Sequence, residues 1–315
     1  SFRKSVIWAK STPTTSISMK LVPTAALTDL PPPPARKIGW PWTDSGQDDG
    51  APVLANWPRI SIVTPSYNQG RFLEQAIRSV LLQNYPNLEY IVIDGRSTDD
   101  ASSILQKYAD FLSYSRSVPD DGQADALSQG FQMASGEILA WINADDYYEP
   151  HAFKRIARFF NEHPGTVFVN GDVNLVNEDG AFIRKIYAMR PNHFFAANLG
   201  QHGWPQQGCF WRRTAYDAVG GVNAGYQFCI DLDLFTRLVE FGNGRRFSGS
   251  AIANFRVHPA SKTATMPTTL HQEKSRVINT YGHPIWSARP GAMGALWWVY
   301  RKQAAVRRRW DHLKR

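Results

Sequence analysis

The sequence predicts an α/β fold in which a mostly parallel sheet is covered by helices on both faces. Three short runs rich in β-branched and other apolar residues, 60–64, 90–93 and 138–142, have the composition of buried strands. The segments between them place apolar residues at helical spacing, and the connections are short. Because ligands bind beyond the carboxyl ends of the strands in such sheets, we expect a cleft where these three runs end.

The first half of the chain alternates regularly between strand and helix. Pro65 closes the first strand, and turn residues 68–70 precede the first helix. Residues 97–99 offer N-caps for a helix after the second strand, and a weaker strand is expected over 113–118. A third helix ends at Gly136, directly before the last of the three strands. Strands connected through helices in this way run parallel to one another.

The second half of the chain is less regular. A helix is expected after Pro150, and it leads to a strand over 167–169. Turn residues 177–180 predict a hairpin. After an irregular stretch, a helix is expected to begin near Asp231, and a strand is expected over 252–257. The sequence contains no internal repeat.

The two ends of the chain differ from its middle, so we divide it into segments 1–57, 58–265 and 266–315. The first segment is extended and rich in proline, and its Trp40 and Trp42 are expected to dock on the α/β domain. The last segment is helical, basic and aromatic. It fits either a peripheral membrane helix or a solvated helix docked by its aromatic residues.

Charge and composition limit the classes of function. Lysine and arginine number 35 against 27 aspartate and glutamate residues, a net charge of +8 that favours anionic partners. No run reaches the roughly 20 apolar residues that span a bilayer, no signal-peptide pattern is present, and the two cysteines form no framework. We therefore expect a protein of the cytoplasm, located either free in it or at the inner face of the cell membrane. Nucleic acid is not an expected partner, because the basic residues gather at the ends and no binding module is present.

Two adjacent carboxylates, Asp145 and Asp146, follow the strand over 138–142. Like charges this close are costly unless they share a cation, and oxygen ligands suit Mg²⁺ or Mn²⁺. Such a cation would bridge the carboxylates and a diphosphate, and it would neutralise a leaving group. A solvated turn is the alternative for an isolated Asp-Asp pair, but the position at a strand end favours the metal site.

Four motifs, in order along the chain, carry a resemblance to a known family. They are residues 61–68 (SIVTPSYN), 93–99 (IDGRSTD), 122–126 (GQADA) and 136–146 (GEILAWINADD). Together they resemble the family 2 glycosyltransferases. Further similarity runs through residues 205–211, 231–234 and 256–259. The resemblance implies a GT-A fold and an inverting transfer from a nucleotide-diphosphate sugar, with UDP as the expected nucleotide. It also implies Mn²⁺ or Mg²⁺ as cofactor and a glycan or lipid-linked saccharide as acceptor.

The resemblance assigns roles residue by residue. The residues expected at the nucleotide are Pro65, Tyr67, Asn68, Asp94, Gln123, Asp125 and Asp145. Among them, Tyr67 would stack on the base and Asp94 would accept a hydrogen bond from it, although Asp94 alone fits a turn equally well. The metal ligands would be Asp145 and Asp146.

An inverting transfer needs one general base to deprotonate the acceptor. The resemblance makes Asp231 this base, with Asp233 as second candidate, although capping of a helix alone explains both residues. His258 and Lys262 would bind the diphosphate, and His258 would also offer a nitrogen to the metal; a lone histidine is more often structural. The residues expected at the sugar or acceptor are Trp204, Gln206, Gln207 and Trp211, with a packed loop as the alternative.

The sequence departs from the family pattern at two positions. Asn143 stands where many relatives have aspartate, so the metal would be held less tightly, and Arg96 stands where glycine is common and is expected to point to solvent. A nucleotidyltransferase is one alternative, disfavoured because residues 65–71 contain a single glycine and a single arginine. A catalytically degenerate nucleotide-sugar-binding scaffold is the other, and the presence of Asp145, Asp146 and Asp231 together argues against it.

Overall fold

The computed structural model describes residues 19–46, 54–201, 203–287, 291–292 and 294–302. Its strands are β1 (Ile60–Ser66), β2 (Leu88–Asp94), β3 (Tyr114–Ser117), β4 (Ile138–Trp141), β5 (Tyr147–Tyr148), β6 (Phe168–Asn170), β7 (Val173–Val176), β8 (Phe182–Ile186), β9 (Cys209–Arg212), β10 (Gly244–Arg246) and β11 (Ala253–Arg256). Its α-helices are α1 (Gly70–Leu81), α2 (Ala101–Lys107), α3 (Gln123–Met133), α4 (Ala152–Glu162), α5 (His193–Leu199), α6 (Arg213–Ala218), α7 (Ile230–Phe241), α8 (Lys262–Thr265), α9 (Pro267–Tyr281) and α10 (Pro284–Ser287). Residues 294–302 are also helical.

The larger sheet has the strand order β10-β6-β9-β4-β1-β2-β3. Strands β4, β1, β2 and β3 are parallel neighbours, whereas β9 runs antiparallel to both β4 and β6. Ser66 lies opposite Asp94 and Val63 lies opposite Trp141, so β1, β2 and β4 end at the same edge of the sheet. The predicted α/β fold with a mostly parallel sheet is confirmed.

Alternate side chains of the central strands enter two separate hydrophobic cores. Ile60 and Ile62 of β1 pack on one face with side chains of α1, α2 and α4. Val63 of β1 and Trp141 of β4 pack on the other face with side chains of α3 and α7. Burial on both faces explains why the strand runs in the sequence are almost continuously apolar.

A smaller sheet has the strand order β5-β11-β7-β8. The predicted hairpin is present as the antiparallel pair β7 and β8, and the Asn177 side chain accepts hydrogen bonds from the backbone N–H groups of Asp179 and Ala181 in its turn. The sequence did not predict β9 or α5, which lie in the stretch interpreted as irregular. β9 has four residues, and its extended conformation is determined by pairing with β4 and β6 rather than by a local pattern.

The proline-rich segment is docked through a buried arginine of α1. The guanidinium group of Arg78 donates to the carbonyl oxygens of Pro31 (2.7 Å), Pro41 (3.0 Å) and Trp42 (3.1 Å). The Trp42 side chain is buried, and Nε1 of Trp40 donates to a backbone carbonyl of β5 at 2.8 Å. The expectation that both tryptophans dock on the α/β domain is confirmed.

The described part of the C-terminal segment packs on the same domain. Val277 of α9 is buried in the core that contains α7, and the Trp297 and Tyr300 rings lie 5.2 and 4.7 Å from the Phe195 ring of α5. Among the described residues, no helix has both the length and the apolar composition needed to cross a bilayer. The basic run 307–310 lies outside the described residues. The divisions after residues 57 and 265 stay predictions.

Candidate active site

A cavity of about 520 Å³, termed the inner cavity, opens beyond the carboxyl ends of β1 and β4. Its lining includes Pro65, Tyr67, Gly95, Asp120, Gln123, Asn143, Asp145, Asp146 and Lys262. The loops after β1, β2, β3, β4 and β11 supply these residues. The cleft predicted at the strand ends is therefore present, and several predicted residues meet in it.

A second cavity of about 700 Å³, termed the outer cavity, adjoins the first. The residues that line both cavities are Gln123, Asn143, Phe255, Lys262 and Thr263. Asp145 lines only the inner cavity, whereas Asp231 lines only the outer one. The two cavities therefore share one wall, and each has its own carboxylate.

The carboxylate of Asp146 is almost completely buried, with the residue 1% exposed. Oδ1 accepts from the backbone N–H of Arg256 (2.9 Å), and Oδ2 accepts from the side-chain amides of Gln207 (2.8 Å) and Asn143 (3.3 Å). Burial, followed by repulsion from Asp145, raises the pKa of Asp146 well above its usual range. Asp146 thus connects the end of β4 to β11 and to the segment before β9.

Asp145 faces the inner cavity, with 18% of its side chain exposed. Its Oδ2 lies 3.0 Å from Nε2 of His258, a buried residue just after β11. Nδ1 of His258 lies 3.3 Å from the guanidinium of Arg71. Because a guanidinium can only donate, Nδ1 is the acceptor and Nε2 carries the proton that it donates to Asp145. His258 lines neither cavity, and its hydrogen bond orients the Asp145 carboxylate from the side away from the inner cavity.

Gln123 holds the shared wall together. Its Nε2 donates to Oδ1 of Asn143 at 2.7 Å, and its Oε1 accepts from Nζ of Lys262 at 2.7 Å. The same ammonium donates to the backbone carbonyl of Gln227 at 2.9 Å. Burial lowers the pKa of Lys262. A lysine cation therefore lies between the two cavities, as the predicted phosphate-binding role requires.

Asp94 is fully buried at the end of β2 and does not line either cavity. One oxygen accepts from the Oγ of Ser97, and the other accepts from the Ser97 backbone N–H (2.9 Å) and the Oγ of Ser117 (2.6 Å). These bonds join the ends of β2 and β3. These contacts agree with the alternative role of Asp94 in forming a turn, and they do not favour contact with a nucleotide base.

Two further residues predicted at the nucleotide also lie outside both cavities. The Asn68 side chain accepts from the backbone N–H of Thr98 at 2.9 Å and so connects the loops after β1 and β2. The carboxylate of Asp125 accepts from the backbone N–H of Asp121 (3.1 Å) and from Nε2 of Gln129 (2.6 Å). Both side chains stabilise the segments around the inner cavity, and neither forms part of its lining.

A carboxylate that the motifs did not single out, that of Asp120, lines the inner cavity. Both of its oxygens lie 3.0 Å from the point that a Cβ atom on Gly95 would occupy, and Oδ1 accepts from the backbone N–H of Gly122 at 2.9 Å. Burial raises the pKa of Asp120, and the charges of Asp125 and Asp94 add to the rise. The strand-end rule could have found this residue, since Asp120 follows β3 by three positions.

Asp231 and Asp233 have different surroundings. Asp231 lines the outer cavity at the start of α7, where its Oδ1 accepts from the backbone N–H of Leu232 at 2.8 Å. Asp233 is fully buried, and its carboxylate binds the guanidinium of Arg237 (2.5 Å) and the hydroxyl of Tyr281 (2.7 Å). Of the two candidate bases, only Asp231 lies at a cavity.

Glu273 of α9 holds the loop that leads to Asp231. Its carboxylate accepts from three successive backbone N–H groups, those of Gln227 (2.7 Å), Phe228 (2.8 Å) and Cys229 (2.8 Å). A negative group is favourable at this end of α7, because the helix dipole is positive there. Sequence reasoning missed Glu273, since it lies more than 40 positions from the amides that it binds.

Three of the four residues predicted at the sugar or acceptor line the outer cavity, namely Trp204, Gln206 and Gln207. Nε2 of Gln206 donates to the backbone carbonyl of Trp141 at 2.7 Å, which fixes this loop to the end of β4. Trp211 is instead buried in the core, with its ring 5.5 Å from that of Trp141. Trp211 therefore fits the alternative interpretation of a packed residue, and its side chain lines neither cavity.

The model of the family described as Glycosyl transferase family 2 matches residues 61–217. This span contains β2, β3, β4 and all but the first residue of β1, together with the carboxylates of the inner cavity. The chain belongs to glycosyltransferase family 2. The members of this family are enzymes, so the enzyme class predicted from the motifs is confirmed with the family.

Several relatives share this glycosyltransferase region. The chain is 28% identical over 210 residues to the PGL/p-HBAD biosynthesis glycosyltransferase of Mycobacterium tuberculosis, covering 64% of this chain and 74% of that protein. It is 35% identical over 105 residues to the uncharacterized glycosyltransferase alr2836 of Nostoc sp., covering 32% of this chain and only a third (33%) of that relative. The structure of S. aureus TarS 1-349 in complex with UDP-GlcNAc has the same fold, with a TM-score of 0.58 at 16% identity over 75% of this chain and 70% of that one.

The family 2 glycosyltransferase has two adjacent candidate metal ligands, Oδ2 of Asp145 and Nε2 of His258. Across the described ranges, no group of three or more His, Cys, Asp or Glu side chains is arranged to hold a metal ion. Mg²⁺ is commonly held by one or two carboxylates together with substrate phosphates, so Asp145, which faces the inner cavity, fits an ion that binds with a diphosphate. His258 lines neither cavity, and its Nε2 already donates to Asp145. Coordination by Nε2 would require its proton to leave. Asp146 is less suited to direct coordination than Asp145, because it is 1% exposed and its carboxylate accepts three protein hydrogen bonds.

Proposed function

We propose that the protein transfers a sugar, with inversion, from a UDP-sugar in the inner cavity to a glycan or lipid-linked saccharide in the outer cavity. The observation that carries this proposal is the shared wall. Asp145 and Asp231 line adjoining cavities that have Gln123, Asn143 and Lys262 in common. A donor sugar at this wall would be exposed to an acceptor hydroxyl from the other side.

The donor would lie along the inner cavity, with its base near Pro65 and Tyr67 and its diphosphate near Lys262. Tyr67 is 63% exposed, which leaves its ring free to stack on a base. In this proposal Asp120, rather than Asp94, accepts a hydrogen bond from the base. Asp120 lines the cavity, whereas both oxygens of Asp94 are occupied by serine donors. The complex of TarS with UDP-GlcNAc is a precedent for such a donor in this fold.

Asp231 would act as the general base. It would take the proton from the acceptor hydroxyl while that oxygen attacks the anomeric carbon from the face opposite the leaving diphosphate. Lys262 would compensate the negative charge that develops on the diphosphate. A divalent ion held by Asp145, whose carboxylate is oriented by His258, would supply further charge neutralisation when bound. Asp233 is less suited to this role, since Arg237 and Tyr281 already bind its carboxylate.

We also propose a peripheral membrane contact on the cytoplasmic side through residues 294–302. Leu296, Trp298 and Val299 of this helix are exposed, and Lys302 lies beside the Trp298 ring. Apolar and basic side chains on one helix suit a headgroup interface.

The proposal is tested by the melting temperature of the protein with UDP, CDP, GDP or TDP, each with and without Mn²⁺ or Mg²⁺. A ligand that binds only the folded state raises the melting temperature. We expect the largest rise with UDP and metal, and we expect Asp145→Ala to remove the metal-dependent part. Asp217→Ala is the matched control, since Asp217 is an exposed carboxylate of α6 that lines neither cavity. No response to any nucleotide would contradict the proposal, and binding without UDP-sugar turnover would identify a scaffold instead of an enzyme.

A further inference from the structure

The outer cavity carries an excess of positive charge. The charged residues that line it are Arg184, Lys185, Lys262, Arg301 and Asp231, four cations against one carboxylate. The inner cavity has the opposite balance, with Asp120, Asp145 and Asp146 against Lys262. The two sides of the shared wall therefore differ in electrostatic sign.

Three of these cations, Arg184, Lys185 and Arg301, form no ion pair within the described part of the chain. Arg237 and Arg246, by contrast, are paired with buried aspartates. A cation that is not neutralised by the protein keeps its charge available for a bound anion. The outer cavity thus has unused positive charge on its lining.

The elements that carry these cations are held in place. Arg184 and Lys185 belong to β8, where they pair in register with Leu175 and Asn174 of β7. Arg301 follows Tyr300, whose hydroxyl donates to a backbone carbonyl at 2.6 Å and whose ring packs against α5. The backbone positions that carry these positive charges are therefore held by neighbouring elements.

Aromatic rings accompany the cations. The half-buried Trp297 lines the same cavity, and flat rings complement the apolar faces of sugars, whereas Trp204 is only 1% exposed behind the lining. The two elements that supply the cations also expose large apolar side chains, including Phe182 (64% exposed) on β8 and Trp298 (61% exposed) on the C-terminal helix. A saccharide with an anionic group beside it matches this combination of rings and positive charge.

We propose that the acceptor saccharide carries a phosphate or another anionic group, held in the outer cavity by Arg184, Lys185 and Arg301. This inference rests on the proposed function, in which the outer cavity binds the acceptor. The anion could belong to a lipid phosphate or to a soluble anionic glycan, and the recognition chemistry is the same for both.

The test is calorimetric titration of the full chain, saturated with UDP and Mg²⁺, with three probes. Octyl phosphate represents a lipid-borne anion, glucose 1-phosphate represents a soluble anionic saccharide, and octyl glucoside is the neutral control. We expect at least one anionic probe to bind more tightly than octyl glucoside, and we expect added salt to weaken its binding. The tighter of the two anionic probes identifies the source of the anion.

The variants Arg184→Ala and Arg301→Ala should each weaken binding of the anionic probe by about tenfold, because charge-assisted hydrogen bonds are lost. Binding of UDP and of octyl glucoside should not change. Arg245→Ala is the matched control, since Arg245 is an exposed cation of β10 outside both cavities. Equal binding of charged and neutral probes, or unchanged binding in both cavity variants, would overturn the inference while UDP binding persists. Failure of the unmodified protein to bind UDP would instead overturn the proposed function, and this inference with it.

Discussion

The inner and outer cavities differ in how their charged side chains are partnered. In the inner cavity, Asp146 accepts three protein hydrogen bonds and Asp145 is bound by His258. In the outer cavity, Arg184 and Arg301 form no ion pair within the described ranges. The inner cavity is therefore organised before any substrate binds, whereas the outer cavity has positive charge that the described residues do not neutralise. Such a difference suits a fixed donor site beside a site that recognises its acceptor by charge.

The largest expected effect separates chemistry from binding. Asp231→Asn should lower turnover of the UDP-sugar by about 10²–10⁴-fold, because an amide cannot accept the acceptor proton. The affinity for UDP should be unchanged, since Asp231 lines only the outer cavity. Steady-state kinetics together with UDP titration measure both quantities. Full turnover in this variant would refute the assignment of Asp231 as base.

A comparison of neighbouring carboxylates tests the organisation of the inner cavity. Asp146→Ala should lower the free energy of unfolding by about 2–4 kcal/mol, because three buried donors lose their acceptor. Asp145→Ala is the matched control and should have a smaller effect, since the Asp145 carboxylate is partly exposed and has one side-chain partner. Urea denaturation measures both. Equal losses would mean that the hydrogen bonds of Asp146 do not organise the site.

The proposed base contact gives a smaller effect. Asp120→Asn should weaken UDP binding by about tenfold and CDP binding less, because the charged acceptor for the uracil N3–H is lost. Gly95→Ala should act in the same direction, since its Cβ atom would lie 3.0 Å from the Asp120 oxygens. Asp121→Asn, an exposed neighbour outside both cavities, is the control. Equal losses for UDP and CDP in Asp120→Asn would contradict the contact.

The smallest expected effect is a dependence of UDP affinity on pH. Asp120 accepts most strongly from the base when it is ionised, and burial raises its pKa above the usual value of 3.8. Affinity should therefore fall on acidification at a higher pH than an ordinary aspartate would cause. At alkaline pH the lowered pKa of Lys262 should cause loss of its charge, and with it of affinity, below the usual lysine value of 10.5. Calorimetric titration with UDP across pH measures both losses of affinity. The loss on acidification should disappear in Asp120→Asn and persist in Asp121→Asn.

The sequence predicted the parts of the molecule that local patterns encode. The runs that became β1, β2 and β4 are mostly apolar, and the rule for strand ends located the inner cavity and Asp145. Asp231 was found through its motif, and the structure brings it to the adjoining cavity. These predictions succeeded because each depends on a short, continuous stretch of sequence, either a strand with its following loop or a motif.

The parts that were missed depend on contacts between distant segments. Asp94 is withdrawn from the cavity because Ser117, 23 positions away, donates to it. Asp120 follows β3 closely enough for the strand-end rule to locate it, but its contact with position 95 joins two segments that no single motif connects. The cations of the outer cavity come from β8 and from the C-terminal helix, more than 100 positions apart. No periodicity in the sequence connects such pairs.

The hydrogen bonds between Glu273 and the three amides before α7 make α9 a support for Asp231, the proposed base. Glu273 contacts no substrate in our proposal, yet it fixes residues 227–229, two positions before Asp231. A version of the chain that ends at residue 266 would keep Asp145 and Asp231. It would lack Glu273, and residues 227–229 would no longer be held in the position that orients Asp231. A shortened enzyme of this kind should bind its donor and leave the acceptor unreacted.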